Sequence, residues 1–202
     1  GAIGLFVILE AILLSLPGID GLVNVMIGTR YGWLVVLGLF MLVSYVADNW
    51  AQSAVNTTTQ YMGLGLYVVA EAVIFVPLLY IAERVAPGAI PAAGMTTLVL
   101  FGGLTAIVFV TRKDFSFLRT VLMFGGFAAL GLIVVAILFQ FNLGPIFIYA
   151  MIALACGYIL YDTSNVMLHY RIGQHVAASL ALFASVALLF WYILQLFMSR
   201  RE

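Results

Sequence analysis

The apolar run VAASLALFASVALLFWYILQLF at residues 176–197 decides the fold class. It contains no charged side chain, and it is long enough for a helix to cross the hydrocarbon core of a bilayer, which takes about 20 apolar residues. Ala177, Ala181 and Ser185 recur every four residues, which gives the predicted helix a small face that other helices can approach closely. This face favours a central position for the helix. Ordinary membrane-helix composition is the alternative interpretation.

The composition of the whole chain agrees with a membrane environment. Of its 202 residues, 65% are hydrophobic and 8% are charged, whereas soluble domains carry about 25% charged residues. Eight basic and eight acidic side chains cannot cover the surface of a soluble domain of this size. We therefore predict an integral membrane protein whose main partner is the lipid bilayer. The balanced charge leaves no basic stripe for phosphates, so nucleic acid is excluded as a partner.

Apolar runs separated by short polar connections predict a multi-pass protein with a single domain over residues 1–202. Backbone groups in lipid must be satisfied within the segment, so each run should form an α-helix. Pro17 stops the first run early, and we expect that the N-terminal start is truncated. The predicted fold is all-α, with seven spans at residues 1–16, 31–47, 62–81, 92–110, 121–139, 146–168 and 176–198.

The basic residues give a weak signal for orientation, because the two sides of the predicted bundle carry equal numbers of them. The densest cluster in a short connection is TRKDFSFLR at residues 111–119. We therefore predict that this loop is cytoplasmic, with the N-terminal side inside and the C-terminus outside.

The sixth predicted span carries polar side chains on one face. Tyr158, Asp162, Asn165 and His169 follow one another at intervals of three and four residues. At ~1.5 Å per residue, Asp162 lies about 7 Å from the middle of the span. A carboxylate at that depth is costly unless it is protonated, paired or facing water. Asp162 is a candidate proton-sensitive residue, and Tyr158 and Asn165 are candidates for an ion path; a cap at a wetter helix end is the alternative role for Asp162.

Glu71 is a second acid predicted to lie in the membrane. It occupies the centre of the third span, six residues before Pro77, which is expected to kink the helix because it cannot donate a backbone hydrogen bond. We predict that Glu71 lines an ion path. The alternative is a neutral glutamic acid that is hydrogen-bonded to a neighbouring helix through a tyrosine or a serine.

The loop TRKDFSFL at residues 111–118 has an interfacial character. Arg112 and Lys113 are predicted to anchor the fourth span at the membrane surface. Asp114 is predicted to cap the fifth span near the positive end of its helix dipole. A partner-binding role for the loop is the alternative.

The sequence lacks the usual signatures of a catalytic site. It has no HExxH, GxSxG or Walker motif, and no nucleophile, base and orienting residue share a plausible site. Cys156 is the only cysteine, so the chain can form neither an intramolecular disulfide nor a thiolate-rich metal site. We therefore predict a non-enzymatic protein without a cofactor, a catalytic residue or a metal site.

The segments TRKDFSFL (111–118) and LYDTSNVM (160–167) together resemble the Bax inhibitor-1 family, and in particular its bacterial YccA-like branch. The resemblance implies six helices around a central seventh, in the bacterial inner membrane. It also implies a pH-sensitive calcium leak, gated by two aspartates that share a proton. Asp162 matches the first aspartate, and Phe183 occupies the position of the second.

Phe183 removes the pair of acids on which this gate depends. Its ring is expected to pack against Asp162 and exclude water, while Ser179 and Glu71 are candidates for a substitute partner. The YccA-like branch implies a second function, as a modulator and binding partner of the membrane AAA+ protease FtsH. An accessory subunit of a larger membrane complex is a third possibility, and the conducted ion could be Ca²⁺ or another cation.

Overall fold

The structure, a computed structural model, describes residues 1–53 and 56–200, apart from the side chain of Arg30. In these ranges every regular element is an α-helix, which confirms the all-α fold class. The helices are α1 (Ala2–Ser15), α2 (Ile19–Ile27), α3 (Arg30–Ala51), α4 (Thr57–Val85), α5 (Ala89–Thr111), α6 (Leu118–Phe139), α7 (Gly144–Leu168) and α8 (His175–Ser199).

Six helices, α3 to α8, are long and apolar enough to cross a membrane. They contain the six predicted spans from 31–47 to 176–198, and each extends beyond the predicted apolar run at one end or both. The extensions are expected, because hydropathy marks the hydrocarbon region whereas the helical hydrogen bonds continue into the interface. The chain is therefore a multi-pass helical membrane protein.

The first predicted span has a different form. Helix α1 ends at Ser15, Gly18 adopts the left-handed region at φ 92°, and α2 leaves at an angle of 103° to α1. Glycine accepts this backbone conformation without steric cost. The pair α1 and α2 is a broken span or a re-entrant loop, so the described residues contain six spans, or seven if this pair counts as one. Residues 19–27 were expected to belong to a connection, and their helix is a correction to the sequence prediction.

Two helices are more enclosed by protein than the other spans. In α4 and α8, 56% and 61% of the apolar stretch is buried, compared with 17% or less in α3, α5, α6 and α7. Helix α4 runs unbroken through Pro77. The burial of α8 agrees with the predicted inward position of the last helix, while the ring of six helices around it stays a prediction.

The chain divides into two compact units, and the boundary falls within α4 and α8. In the unit formed by Gly1–Ile81 and Ile172–Phe183, α2 packs against α1 and α3. In the unit formed by Ala82–Arg171 and Ala184–Glu202, α7 packs against α5 and α6. The single domain over residues 1–202 stays a prediction.

Candidate functional site

The loop between α5 and α6 is attached to the C-terminal end of α7. The backbone N–H of Phe115 donates a hydrogen bond to the hydroxyl of Ser164 at 3.2 Å, and Ser164 is fully buried. One turn beyond, His169 Nε2 lies 3.3 Å from Asp114 Oδ2. The first contact joins the segments 111–118 and 160–167, and the second joins the same loop to the residue that follows α7.

Asp114 organises the loop and does not cap α6. Helix α6 begins at Leu118, and its N-terminus has no side-chain cap. The carboxylate of Asp114 instead accepts hydrogen bonds from the hydroxyl and the backbone N–H of Ser116. These bonds, the hydroxyl first, and the nearby charge of His169 lower the pKa of Asp114 from its ordinary value of 3.8. The predicted cap is therefore wrong, because the turn at residues 116–117 separates Asp114 from the first helical N–H groups.

The basic residues of the same loop lie at its start. Arg112 is the C-cap of α5 and adopts the left-handed conformation at φ 49°. Both Arg112 and Lys113 are exposed, as expected of side chains that reach the membrane surface. Their cytoplasmic location stays a prediction.

Asp162 lies six residues before the end of α7 and is half-buried. Its carboxylate accepts a hydrogen bond from the hydroxyl of Ser185 on α8, and Ser185 is 5% exposed. A carboxyl group inside a membrane helix needs such a partner, because lipid offers it none. The structure therefore joins α7 and α8 through an acid and a hydroxyl group.

The other polar residues of the α7 face have local structural contacts. The Tyr158 hydroxyl donates to the backbone carbonyl of Leu122 on α6 at 2.9 Å. The carbonyl of Asn165 accepts the backbone N–H groups of His169 and Tyr170 and so terminates the helix. Asp162 is thus the acidic group on this face, with Tyr158 one turn before it and Asn165 almost one turn after it.

The contacts of Ser179 and Phe183 on α8 differ from the contact of Ser185 with Asp162. Ser179 is exposed and donates its hydroxyl to the carbonyl of His175 in its own helix. The ring of Phe183 packs edge-on against Phe6 and Tyr67, with centroid distances of 5.9 and 6.1 Å. The hydroxyl that donates to Asp162 is therefore that of Ser185. The sequence suggests Ser179 instead.

Glu71 is buried in α4, with 6% of its surface exposed. The hydroxyl of Tyr67, one turn earlier in the same helix, donates to Glu71 Oε1 at 2.9 Å. The sequence had offered a tyrosine on a neighbouring helix as one alternative, whereas this tyrosine is on the same helix. A role for Glu71 in an ion path stays a prediction.

The sequence did not identify Ser185 as the partner of Asp162. The signal was its place in the small face of α8, four residues after Ala181, where a neighbouring helix can approach. Within the described residues, no group of three or more His, Cys, Asp or Glu side chains is placed to hold a metal ion.

Comparison with known proteins gives a match over nearly the whole chain. The model of the family described as "Inhibitor of apoptosis-promoting Bax1" matches residues 2–202. An uncharacterized protein of Pseudomonas aeruginosa is 30% identical over 162 residues, which cover 79% of this chain and 69% of that protein.

Two proteins of Arabidopsis thaliana are also similar. The BI1-like protein is 37% identical over 109 residues, which cover 50% of this chain and 41% of the relative. Protein LIFEGUARD 4 is 35% identical over 146 residues, which cover 68% and 56%, respectively. The matches therefore span about half the length of the two plant relatives.

Proposed function

Because the chain belongs to the Bax inhibitor-1 family, we propose that it is a non-enzymatic, pH-sensitive cation leak in which Asp162 is the proton-sensitive residue. The proposed ion is Ca²⁺, since the leak that the resemblance implies is a calcium leak. We also assign the chain to the YccA-like branch and to the bacterial inner membrane as part of the same proposal.

The observation that carries the proposal is the hydrogen bond between Ser185 and Asp162. A hydroxyl group can donate to a carboxylate, and it can also accept from a protonated carboxyl group. Both charge states of Asp162 therefore keep a partner at this position. That property suits a residue that gains and loses a proton in place.

The two charge states of Asp162 have opposite effects on a cation. The neutral acid offers no net charge, and the surrounding apolar helix surface is then a barrier to ions. The ionised carboxylate attracts a cation and the water that accompanies it. The proposed leak therefore increases as the pH rises, with Tyr158 and Asn165 on the same helix face as candidate lining groups.

A second function, the modulation of an FtsH-type membrane protease as its binding partner, is supported by Phe183. Its ring is 5% exposed and packs against two other rings. The resemblance would place an aspartate there, and an aromatic ring cannot share a proton with Asp162. A protein without the second acid is better suited to regulate another protein by binding it than to conduct ions. The same argument favours a role as an accessory subunit in a larger membrane complex.

Calcium flux into proteoliposomes tests the leak directly. We expect a flux that is greater at about pH 8 than at about pH 6, and that loses this pH dependence in Asp162→Asn. Asp48→Asn is the matched control, because Asp48 is an exposed acid at the end of α3. If the folded protein gives no flux above that of empty liposomes, the leak is excluded, and co-purification with a membrane protease becomes the decisive measurement.

A further inference from the structure

Helix α1 has two buried side chains, Phe6 and Glu10. Val7 and Ile8, for comparison, are each 58% exposed. Phe6 and Glu10 are four residues apart and therefore share one face of the helix. One of the two buried side chains of this helix is thus acidic.

Glu10 has no recorded partner for its acid group. It is 5% exposed, and within the described residues neither of its carboxyl oxygens has a hydrogen-bond partner. An ionised carboxylate in such a place would lose its hydration without any compensation. A protonated carboxylic acid is much less costly to bury.

The sequence around α1 supplies almost no positive charge. In the unit formed by Gly1–Ile81 and Ile172–Phe183, Arg30 is the single Lys or Arg residue. The titratable side chains on the elements that pack against α1 in this unit are acids, tyrosines and one histidine: Asp20 of α2, Tyr61, Tyr67, Glu71 and Tyr80 of α4, and His175 of α8. The histidine is exposed and contacts the Tyr61 hydroxyl at 3.1 Å.

Phe6 places α1 on an aromatic cluster, which we define as Phe6, Tyr67, Phe75 and Phe183. The ring of Phe6 lies 5.1 Å from that of Phe75 and 5.9 Å from that of Phe183. Phe183 in turn lies 6.1 Å from Tyr67. Tyr67 and Phe75 are one turn on either side of Glu71 in α4. Phe6 therefore packs against the part of α4 that contains Glu71.

We propose that Glu10 is a protonated carboxylic acid whose ionisation releases α1 from the aromatic cluster. Helix α1 is then a proton-dependent cover of the aromatic cluster, and Glu10 is a proton-binding site separate from Asp162. When Glu10 loses its proton, the carboxylate can regain hydration only if it leaves this buried position, which requires the face that it shares with Phe6 to separate from the aromatic cluster. The proposal does not depend on whether the protein conducts ions.

Reaction with dicyclohexylcarbodiimide in detergent micelles tests the protonation of Glu10. A protonated carboxyl group buried in apolar surroundings adds across one N=C bond of this reagent. The acid proton goes to nitrogen, the carboxyl oxygen bonds to carbon, and an acyl shift then gives a stable N-acylurea without loss of any atom. Peptide mass mapping should locate the adduct on Glu10 at neutral pH, and the yield should fall as the pH rises.

The controls use the conservative variant and an exposed acid. Glu10→Gln should abolish the Glu10 adduct and leave the protein folded, whereas Glu83→Gln should leave the Glu10 adduct unchanged, since Glu83 is exposed. A folded protein with no adduct on Glu10 would show that the carboxyl is ionised and paired, and would overturn the proposal. Protection of Glu10 by added sodium ions at constant pH would also overturn it, because the site would then hold a metal cation instead of a proton.

A spin label on the exposed face of α1 tests the release of the helix. The label is attached to Val7→Cys in a Cys156→Ser background, which removes the single native cysteine. We expect the label to become more mobile as the pH rises, and to stay immobile at every pH in the added Glu10→Gln variant. Phe6→Ala should make it mobile at every pH. A mobility that does not change with pH, or that changes equally in Glu10→Gln, would contradict the proposal.

Discussion

Ser185 on α8 donates its hydroxyl to the carboxylate of Asp162 on α7. The serine belongs to the small-residue face of α8, where the side chains permit the close approach of a neighbouring helix. The contact with Asp162 is thus made from the small-residue face of α8. The acid therefore forms a structural contact between the two helices.

Ser185→Ala should destabilise the protein, because it leaves the Asp162 carboxyl without its recorded donor. The loss of a partner from a buried polar group costs about 1–3 kcal/mol. Thermal unfolding in detergent measures this effect. Ser179→Ala is the matched control, since that exposed serine donates its hydroxyl to a carbonyl of its own helix, and it should change stability little. Equal effects of the two substitutions would contradict the importance of the Asp162 contact.

Ser164→Ala should loosen the loop between α5 and α6. The change removes the hydroxyl that accepts the N–H of Phe115, and a hydrogen bond of this kind contributes about 1 kcal/mol. Trypsin cleavage at Arg112 or Lys113 should then be about five-fold faster if cleavage follows the local opening of the loop. Thr96→Ala serves as the control, because its hydroxyl bonds within α5. An unchanged cleavage rate would show that Ser164 does not hold the loop.

The pKa of Asp114 should depend more on Ser116 than on His169. The Ser116 hydroxyl is the largest cause of the lowered pKa, and the charge of His169 is a smaller one. Ser116→Ala should therefore raise the pKa of Asp114 toward 3.8 by more than His169→Gln does. Carbon-13 NMR titration of the carboxyl group measures both shifts.

The sign of the pH dependence in this loop follows from the same shift. Because the folded protein has the lower pKa, the bonds of Asp114 stabilise the loop above the ordinary value of 3.8. This stabilisation is lost as the pH falls through the folded value. A loop that becomes more ordered on acidification, or a larger shift in His169→Gln than in Ser116→Ala, would contradict the assignment.

Gly63→Ala should be strongly unfavourable, because α3 and α4 approach closely at this glycine. A Cβ atom added there would lie 2.5 Å from the Ala47 carbonyl oxygen and 2.6 Å from the Ala51 nitrogen, which are backbone atoms. Overpacking of this kind costs about 1–3 kcal/mol or more.

Gly65→Ala is the matched control in the same helix, since nothing lies within 4 Å of its added Cβ. Replacing glycine by alanine inside a helix stabilises the helix by up to about 1 kcal/mol, so this variant should be as stable as the native protein or slightly more stable. Thermal unfolding of both variants in the same detergent measures the difference. If Gly63→Ala were as stable as Gly65→Ala, the close approach of α3 and α4 would be contradicted.

The sequence predicted the long helices because hydropathy alone distinguishes a membrane span from its connections. It did not predict α2, since residues 19–27 are less uniformly apolar and follow a proline and a glycine. The 103° bend between α1 and α2 depends on the backbone of residues 16–18. Hydropathy carries no information about such an angle.

The candidate site was predicted in part. Asp162 could be selected because an acid in an apolar helix is rare and costly. Its partner could not be selected, because a sequence gives the depth of a residue along a helix more readily than the side of the helix on which the residue lies. Ser185 is only two residues beyond Phe183, which is about 3 Å along the helix axis but roughly 200° around it. The contact between Phe115 and Ser164 joins distant segments, and no periodicity reports such a pairing.

Infrared difference spectroscopy of the membrane-embedded protein tests the proton-sensing role of Asp162 most directly. The C=O stretch of a protonated carboxyl group is separate from the bands of a carboxylate, so a titration shows whether a given acid gains a proton. We predict a band that is present at low pH, disappears as the pH rises, and is missing from the spectrum of Asp162→Asn. A band that persists unchanged in Asp162→Asn would show that another acid holds the proton, and would contradict the account.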